Sequence, residues 1–248
     1  MTRPFALLAL AAFACASQPG APVVSATSPH IAAAVASEKR PAEDRARDAD
    51  RKPAEMLAFA GITPGQRVAD FIPGGGYFTR MLSEAVGAEG KVYALIPPPG
   101  AQPTEPPIKA VAAQYPNVEV LQQSFTELNV PEPCDVIFTA QNYHDLHLAR
   151  LELDVARVNA QIFHALKPGG AYVVVDHSAR AGAEIGVADT LHRIDPAIVR
   201  RELEAAGFAY DGSLDVLDNP ADTLELSVFD PKIRGKTDQF VMRFRRPK

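Results

Sequence analysis

The chain has 248 residues, of which 47% are hydrophobic and 22% are charged, which is enough for one sizeable core and too little for two. Its formal net charge is −5, and its only marked basic run is RFRRPK, residues 243–248. The electrostatic footprint of a nucleic-acid-binding protein is therefore absent, and we expect no nucleic-acid partner.

The first residues have the layout of a secretory signal peptide. Arg3 precedes an apolar run over residues 5–13, which is followed by small residues. This run is shorter than the about 20 residues of a membrane-spanning helix. Cys15, which follows AFA, resembles the cysteine of a bacterial lipoprotein signal. We predict a signal peptide over residues 1–16 and an exported, periplasmic protein, whose only membrane contact would be a lipid anchor at Cys15.

The next segments differ in composition. Residues 17–37 are rich in Pro, Ala, Ser and Thr, which predicts a flexible tether. Residues 38–248 form the single predicted domain. Its first part, EKRPAEDRARDAD over residues 38–50, alternates charges at helical spacing and predicts a solvated helix face, and the next stretch ends at the helix stop signals Gly61 and Pro64.

From Arg67 onward, strand-like apolar runs alternate with helical patterns, an order that predicts an α/β fold with a mostly parallel sheet. Cys134 begins one of these runs and predicts a buried structural thiol. The predicted strands are RVADFI, KVYALIP, VEVL, DVIFTA, AYVVVD, residues 208–217 and QFVMRFR. The predicted helices cover residues 77–86, 108–115, 148–166 and 196–206, the last capped by Asp195.

The segment VADFIPGGGYF, residues 68–78, is the most informative motif. A strand-like run is followed by Gly74, Gly75 and Gly76 before a predicted helix, the form of a cofactor cradle. Consecutive glycines permit positive φ angles and close approach of a ligand to the main chain. The glycines alone fit an ordinary turn equally well. The order of the neighbouring strands and helices is needed to distinguish a cofactor-binding loop from such a turn.

Four segments, in order, resemble class I S-adenosylmethionine-dependent methyltransferases: VADFIPGGGYFTRML, GKVYALIP, DVIFTAQNYHDLH and ALKPGGAYVVVDH. Within that superfamily the sequence looks closest to exported bacterial proteins described as predicted methyltransferases. The resemblance implies a Rossmann-like fold with a seven-stranded, mostly parallel sheet and helices on both faces. It also implies S-adenosylmethionine as cofactor and methyl transfer to a small-molecule acceptor.

The resemblance implies a cofactor-binding set at the strand ends: Asp70, Gly74, Gly75, Gly76, Tyr77, Ile96, Gln141 and Asn142. Two positions depart from the family pattern. Ile72 replaces the first glycine of the motif, and Ile96 stands where the family has the acid that accepts hydrogen bonds from the ribose hydroxyls. An apolar side chain cannot accept these bonds, and an unpaired hydroxyl costs about 1–3 kcal/mol.

Four of the six histidines follow predicted strand ends on the side where ligands bind in such sheets. Because histidine titrates near neutral pH, they predict a general base, with the candidate catalytic set His144, Asp145, His147, His177 and His192. A divalent metal is the alternative, held by His144, His147, Asp176 and His177. Purely structural roles for the single histidines also fit.

Three functions therefore stay open at the level of sequence. The first is a histidine-assisted methyltransferase, the second is a metal-dependent enzyme on the same scaffold, and the third is a non-catalytic periplasmic protein that binds a small ligand or a metal. The polar segment RGKTD, residues 234–238, predicts either a cover over the site or a solvated loop. No heptad or apolar stripe indicates an oligomeric state.

Overall fold

A single seven-stranded sheet forms the centre of the computed structural model, which describes residues 27–99 and 105–248. The strands are β1 (Arg67–Phe71), β2 (Lys91–Ile96), β3 (Val118–Gln122), β4 (Cys134–Ala140), β5 (Leu166–His177), β6 (Ala209–Leu214) and β7 (Gln239–Arg245). Their order in the sheet is β3-β2-β1-β4-β5-β7-β6. Neighbours among β1 to β5 are parallel, and β7 runs antiparallel to β5 and β6. The predicted α/β fold is confirmed.

Helices cover both faces of this sheet. They are α1 (Pro29–Ala36), α2 (Ala42–Arg45), α3 (Asp48–Arg51), α4 (Pro53–Ala60), α5 (Tyr77–Val86), α6 (Ile108–Ala112), α7 (Val155–Ala165), α8 (Val187–Leu191) and α9 (Pro196–Ala205). Strand side chains alternate between two buried apolar clusters, so that Val173 packs on the α1, α4 and α5 side and Val174 on the α7 and α9 side. Cys134 is buried in the second cluster, as predicted, and burial raises the pKa of its thiol to about 12.

Several element boundaries differ from the sequence-based prediction. α7 starts only at Val155, because the Asp154 side chain accepts a hydrogen bond from the Arg157 N–H at 3.0 Å and caps the helix there. Two 3₁₀ turns, His144–His147 and Ala149–Leu151, precede it. The single helix predicted over residues 38–50 is instead the two short helices α2 and α3. α9 has the predicted Asp195 cap.

The tether prediction is wrong for residues 29–36, which form α1. Ile31 and Ala34 are each only 2% exposed, because α1 packs on α4 and α5. The predicted signal peptide over residues 1–16, Cys15 and the first part of the tether lie outside the described residues. Within the two described ranges, no helix has the length and apolar character needed to cross a membrane.

The α1 contact gives a direct test. Ile31→Ala should lower the free energy of unfolding by about 2–5 kcal/mol, because it leaves a cavity in a packed apolar cluster. Urea titration followed by circular dichroism measures this change. Ala33→Ser, on the exposed face of the same helix, is the control and should change the free energy by less than about 0.5 kcal/mol. Equal stability of the two variants would show that residues 29–36 are a tether after all.

Candidate active site

The glycine loop, residues 72–76, joins β1 to α5 at the carboxyl edge of the sheet. Its three glycines have different surroundings. A Cβ added at Gly76 would lie 2.9 Å from the Val111 side chain, so this glycine is required by packing against α6. Nothing lies within 4 Å of a Cβ added at Gly74 or Gly75. These two positions therefore leave open space above the loop.

Ile72 has a backbone conformation that favours glycine. Its φ is 62°, in the left-handed region that a β-branched residue rarely enters. This conformation costs about 1–3 kcal/mol of folding free energy, and it persists only where contacts with the surrounding structure hold it. Here the Ile72 N–H donates to the Leu95 carbonyl at 3.0 Å, and its own carbonyl accepts from Asn142 Nδ2 at 3.0 Å. The loop entrance is thus fixed from β2 and from the end of β4.

Two adjoining cavities lie above this edge. The loop cavity, of about 230 Å³, is lined by Asp44, Arg47, Arg51, Asp70, Ile72, Pro73, Gly74, Gly75, Tyr77, Phe78, Ala140, Gln141 and Asn142. The outer cavity, of about 460 Å³, is lined by Arg47, Asp50, Arg51, Gln141, His177, Val228, Phe229, Arg234, Gly235 and Gln239. Arg47, Arg51 and Gln141 line both. Ligand pockets usually span about 300–1,000 Å³, so the loop cavity alone is small and the adjoining pair is of ligand size.

Six of the eight residues predicted to bind the cofactor line the loop cavity, namely Asp70, Gly74, Gly75, Tyr77, Gln141 and Asn142. The other two do not. Gly76 packs against α6, and Ile96 is 6% exposed and belongs to the apolar core at the end of β2. The prediction that these two contact the cofactor finds no support in their positions.

Asp70 is buried at the end of β1 and faces the loop cavity. It accepts a hydrogen bond from Thr79 Oγ1 of α5 at 2.6 Å. Burial raises the pKa of this carboxyl to about 6, against the opposing effects of the Thr79 hydrogen bond and the positive charge of Arg51. Asp70 is therefore mainly ionised at neutral pH and presents a negative charge to the cavity.

Arg51 is a site residue that the sequence analysis missed. Its guanidinium lies over the rings of Tyr77, at 4.5 Å, and Phe78, at 5.2 Å, and donates to Gln141 Oε1 at 2.7 Å. Burial, together with the charge of Arg47, lowers the pKa of Arg51 to about 10, so the group stays charged at neutral pH. Gln141 Nε2 in turn donates to Gln239 Oε1 at 2.9 Å. This amide chain, from Arg51 through Gln141 to Gln239, joins α3 to the residue that follows β4 and to β7.

Asp48, the first residue of α3, fixes the position of the segment that contains Arg47 and Arg51. It accepts hydrogen bonds from both terminal nitrogens of buried Arg40, at 2.8 and 2.6 Å, and from Tyr77 Oη at 2.6 Å. A second ion pair joins Asp44 to Arg80 of α5 at 2.8 Å. The segment from α2 to α3 is thereby fastened to α5, and Tyr77 has a structural role in addition to lining the loop cavity.

Asp176, at the end of β5, orients two of the predicted histidines. It is fully buried and accepts hydrogen bonds from the His144 N–H at 2.7 Å, from His144 Nδ1 at 2.8 Å and from the His177 N–H at 2.8 Å. The two imidazole centroids are 6.0 Å apart. Burial disfavours the charged form of His144, but Asp176 and Asp145 outweigh this effect and raise its pKa above the usual value.

His177 has the opposite protonation preference. Its ring lines the outer cavity, and its Nδ1 lies 2.7 Å from Thr237 Oγ1. Burial, assisted by the positive charges of His144, Arg193 and Arg51, lowers the pKa of His177 to about 4 although Asp176 opposes the shift. The imidazole is neutral at pH 7. Thr237 and Arg234 both belong to the RGKTD segment, which therefore borders the site.

The other two predicted histidines, His147 and His192, have different contacts and lie in different places. His147 Nε2 lies 3.0 Å from Glu202 Oε2 of α9, so His147 is outside the group around Asp176. His192 Nδ1 lies 3.8 Å from Asp145 Oδ1, and its ring contacts Phe229 at 4.7 Å. Of the predicted catalytic set, His144, Asp145, His177 and His192 therefore lie close together, and His147 lies apart beside Glu202.

The metal set predicted from the sequence is not assembled either. His147 points to Glu202, and both carboxylate oxygens of Asp176 already accept N–H groups. In the part of the chain that the structure describes, the group whose ligand atoms lie within 4.8 Å of one another is His144, Asp145 and His192. Asp145 and His192 thus replace three of the four predicted ligands.

No protein-family model matches this sequence, and no curated protein matches it. Solved structures do match it. An S-adenosylmethionine-dependent methyltransferase from Aquifex aeolicus has a TM-score of 0.58 and 22% identity, over 81% of this chain and 92% of that one. An arsenic(III) S-adenosylmethionine methyltransferase from Chlamydomonas reinhardtii has a TM-score of 0.55 and 19% identity, over 89% and 74% of the two chains.

A third similar structure is an S-adenosylmethionine-dependent methyltransferase from Mesorhizobium loti, with a TM-score of 0.53 and 18% identity over 79% of this chain and 98% of that one. Identities this low establish architecture and leave chemistry to be argued from the site. The chain has the fold of the class I S-adenosylmethionine-dependent methyltransferases.

Proposed function

We propose that this protein transfers a methyl group from S-adenosylmethionine to a small-molecule acceptor, with His177 as the proton acceptor. The observation that carries the proposal is the pair of adjoining cavities. The glycine loop opens into one of them, and a neutral histidine lines the other. The similar folds of known methyltransferases support the same reaction class.

The residues of the loop cavity suit the amino-acid end of this cofactor. The space above Gly74 and Gly75 is open, and the two charged groups beside it have opposite signs. Asp70 would hold the ammonium group and Arg51 the carboxylate, each as a charge-assisted hydrogen bond. The ribose hydroxyls find no acid at the end of β2, because Ile96 is buried there. The fit is thus good at the amino-acid end and weaker at the ribose.

When bound, S-adenosylmethionine supplies an electrophilic methyl group. The outer cavity holds the acceptor, and His177 takes the proton that the acceptor hydroxyl or amine loses. A hydrogen bond from Nδ1–H to Thr237 Oγ1 leaves the Nε2 lone pair for this purpose. With a pKa of about 4 the imidazole is unprotonated at neutral pH and can accept a proton, but it is a weaker base than a histidine that titrates near neutral pH. The remaining requirement is alignment of the acceptor within the cavity.

A specific observation favours a second candidate, a metal-dependent function. His144, Asp145 and His192 present a two-histidine, one-carboxylate set, and Asp176 accepts from His144 Nδ1, which leaves Nε2 for a metal. Such a set, with open positions, suits Fe²⁺ or Zn²⁺. It would serve either a metal-dependent enzyme on this scaffold or a metal-binding protein without catalysis. The exported location predicted from the sequence accommodates both.

Cofactor binding is tested by calorimetric titration with S-adenosylmethionine and S-adenosylhomocysteine. Gly75→Leu should weaken binding at least tenfold, because the new side chain enters the open space of the loop cavity. Gly186→Leu is the matched control, since an added Cβ there also meets nothing within 4 Å but Gly186 lies outside both cavities. Absence of binding to the unmodified protein, or equal affinities of the two variants, would contradict the proposal.

The burial of neutral His177 predicts a pH dependence of stability. Its folded pKa of about 4 lies below the usual value of 6.5, so between these limits the unfolded chain binds more protons than the folded one. The contribution of this group to the free energy of unfolding should therefore fall on acidification from pH 6.5 to 4, with a slope of up to about 1.4 kcal/mol per pH unit. His177→Gln should reduce that slope in urea titrations at several pH values.

Thr237→Val is the control for this measurement. It removes the Thr237 hydroxyl that lies against Nδ1 but leaves the titrating imidazole in place, so stability drops while the acid-side slope is retained. If His177→Gln and Thr237→Val show the same slope as the unmodified protein, the imidazole is not held neutral by folding.

The metal-dependent candidate predicts one bound ion per chain after incubation with Zn²⁺ or Fe²⁺ and desalting, measured by elemental analysis. His192→Ala should lower the metal content at least tenfold, and His147→Ala should leave it unchanged, because His147 is held by Glu202. A metal content near zero in the unmodified protein would remove this candidate. Stoichiometric metal without any cofactor binding would instead replace the methyltransferase proposal.

A further inference from the structure

The outer cavity carries a charge pattern that identifies a class of ligand. We propose that it binds a small acid, a carboxylate or phosphate monoester with an apolar body, through Arg47 and Arg234. The identification of this acid as the methyl acceptor depends on the proposed function. The anion site itself depends only on the cavity.

The arginines of the outer cavity have no ionic partners. Every Asp and Glu of the chain lies within the described ranges. Even so, none of their carboxylates in the described structure comes within 4 Å of Arg47, Arg51 or Arg234, whereas Arg40 pairs with Asp48 and Arg80 with Asp44. The unpaired arginines of this site therefore differ from the arginines that hold the fold together.

These positive groups converge from separate parts of the chain. Arg47 and Arg51 come from the segment fastened to α5, and Arg234 comes from the segment that precedes β7. Asp50 is the one carboxylate that lines the cavity, against three guanidinium groups. Like charges in one cleft repel, and an anion placed between them relieves that repulsion. Guanidinium groups also match the planar carboxylate and the phosphate in hydrogen-bond geometry.

The remaining lining residues describe the rest of the ligand. Val228 and Phe229 are apolar, and Phe229, at 58% exposed, has the largest exposed fraction of any large apolar side chain in the described residues. His177 lines the same cavity. A ligand held at its acidic end by Arg47 and Arg234 would cover Phe229 with its apolar body and leave its hydroxyl or amine for His177.

Matched probes test the anion site on the full chain. Benzoate and phenyl phosphate carry the acidic group on an apolar ring, and benzamide is the neutral counterpart. We expect at least one of the two acids to bind at least tenfold more tightly than benzamide in ligand-observed NMR titrations, which is about 1.4 kcal/mol. The tighter acid tells whether a carboxylate or a phosphate is preferred. Equal binding of both acids and benzamide would overturn the proposal.

Variants locate the binding. Arg234→Gln should weaken binding of the preferred acid at least tenfold, and Arg47→Gln, in the turn between α2 and α3, should do the same. Arg157→Gln is the matched control, because Arg157 is an exposed arginine of α7 that contacts Glu127 and Thr126 instead. Acid binding that is unaffected by both Arg234→Gln and Arg47→Gln would overturn the proposal.

Titration of the same variants with S-adenosylhomocysteine separates this inference from the proposed function. Arg234 lines only the outer cavity, so Arg234→Gln should leave S-adenosylhomocysteine binding within twofold of the unmodified protein. Arg234-dependent acid binding without any S-adenosylhomocysteine binding would end the methyltransferase proposal and keep the anion site. S-adenosylhomocysteine binding without Arg234-dependent acid binding would do the reverse.

Discussion

The three hydrogen bonds accepted by Asp48 are the interaction on which the site depends. Through Tyr77 they fasten α3 to α5, and through Arg40 they fasten it to the turn between α1 and α2; α3 is the element that carries Arg51 to the glycine loop. Without this attachment the loop cavity would lack one wall and the outer cavity would lack two of its guanidinium groups. A paired, partly buried carboxylate is sensitive to the loss of either partner, because the remaining charge is then desolvated without compensation. The site is therefore built on an electrostatic contact with a segment outside the sheet.

The sequence was sufficient to predict the fold because the sheet follows from local patterns. Apolar runs of strand length alternate with amphipathic helices, and that order alone restricts the topology to few choices. The glycine loop and the last strand, Gln239–Arg245, were located correctly for the same reason. The positions of strands, helices and the glycine loop are all encoded in patterns that repeat within a few residues.

The missed parts of the site depend on contacts between distant residues. Charges at helical spacing look the same whether they face water or a polar cavity, so Arg47 was assigned to a solvated face although it lines both cavities. Arg51, directly after that segment, was not singled out although it meets Gln141, 90 residues away. His144 and His147 were predicted to share a site because both follow the same strand, but Asp176 and Glu202 hold the two rings apart. α1 was missed because its alanine-rich composition resembles a linker, and only Ile31 marks its buried face.

Different observations support the fold of this protein and its proposed reaction. Solved methyltransferases share the architecture, while the reaction is argued from Asp70, Arg51 and His177. Ile72 takes a left-handed conformation that usually requires glycine, and hydrogen bonds at its N–H and at its carbonyl hold it at φ 62°. The export signal stays a prediction.

The amide chain from Arg51 through Gln141 to Gln239 also constrains how the protein folds. Its two hydrogen bonds close loops of 90 and 98 residues, so both must wait for most of the chain to be ordered. β7 enters the sheet between β5 and β6, and it brings Gln239 with it. A folding intermediate that has formed only the parallel strands would possess the glycine loop without the outer cavity. In that order of events the outer cavity, and with it the proposed acid site, forms only when the antiparallel edge docks.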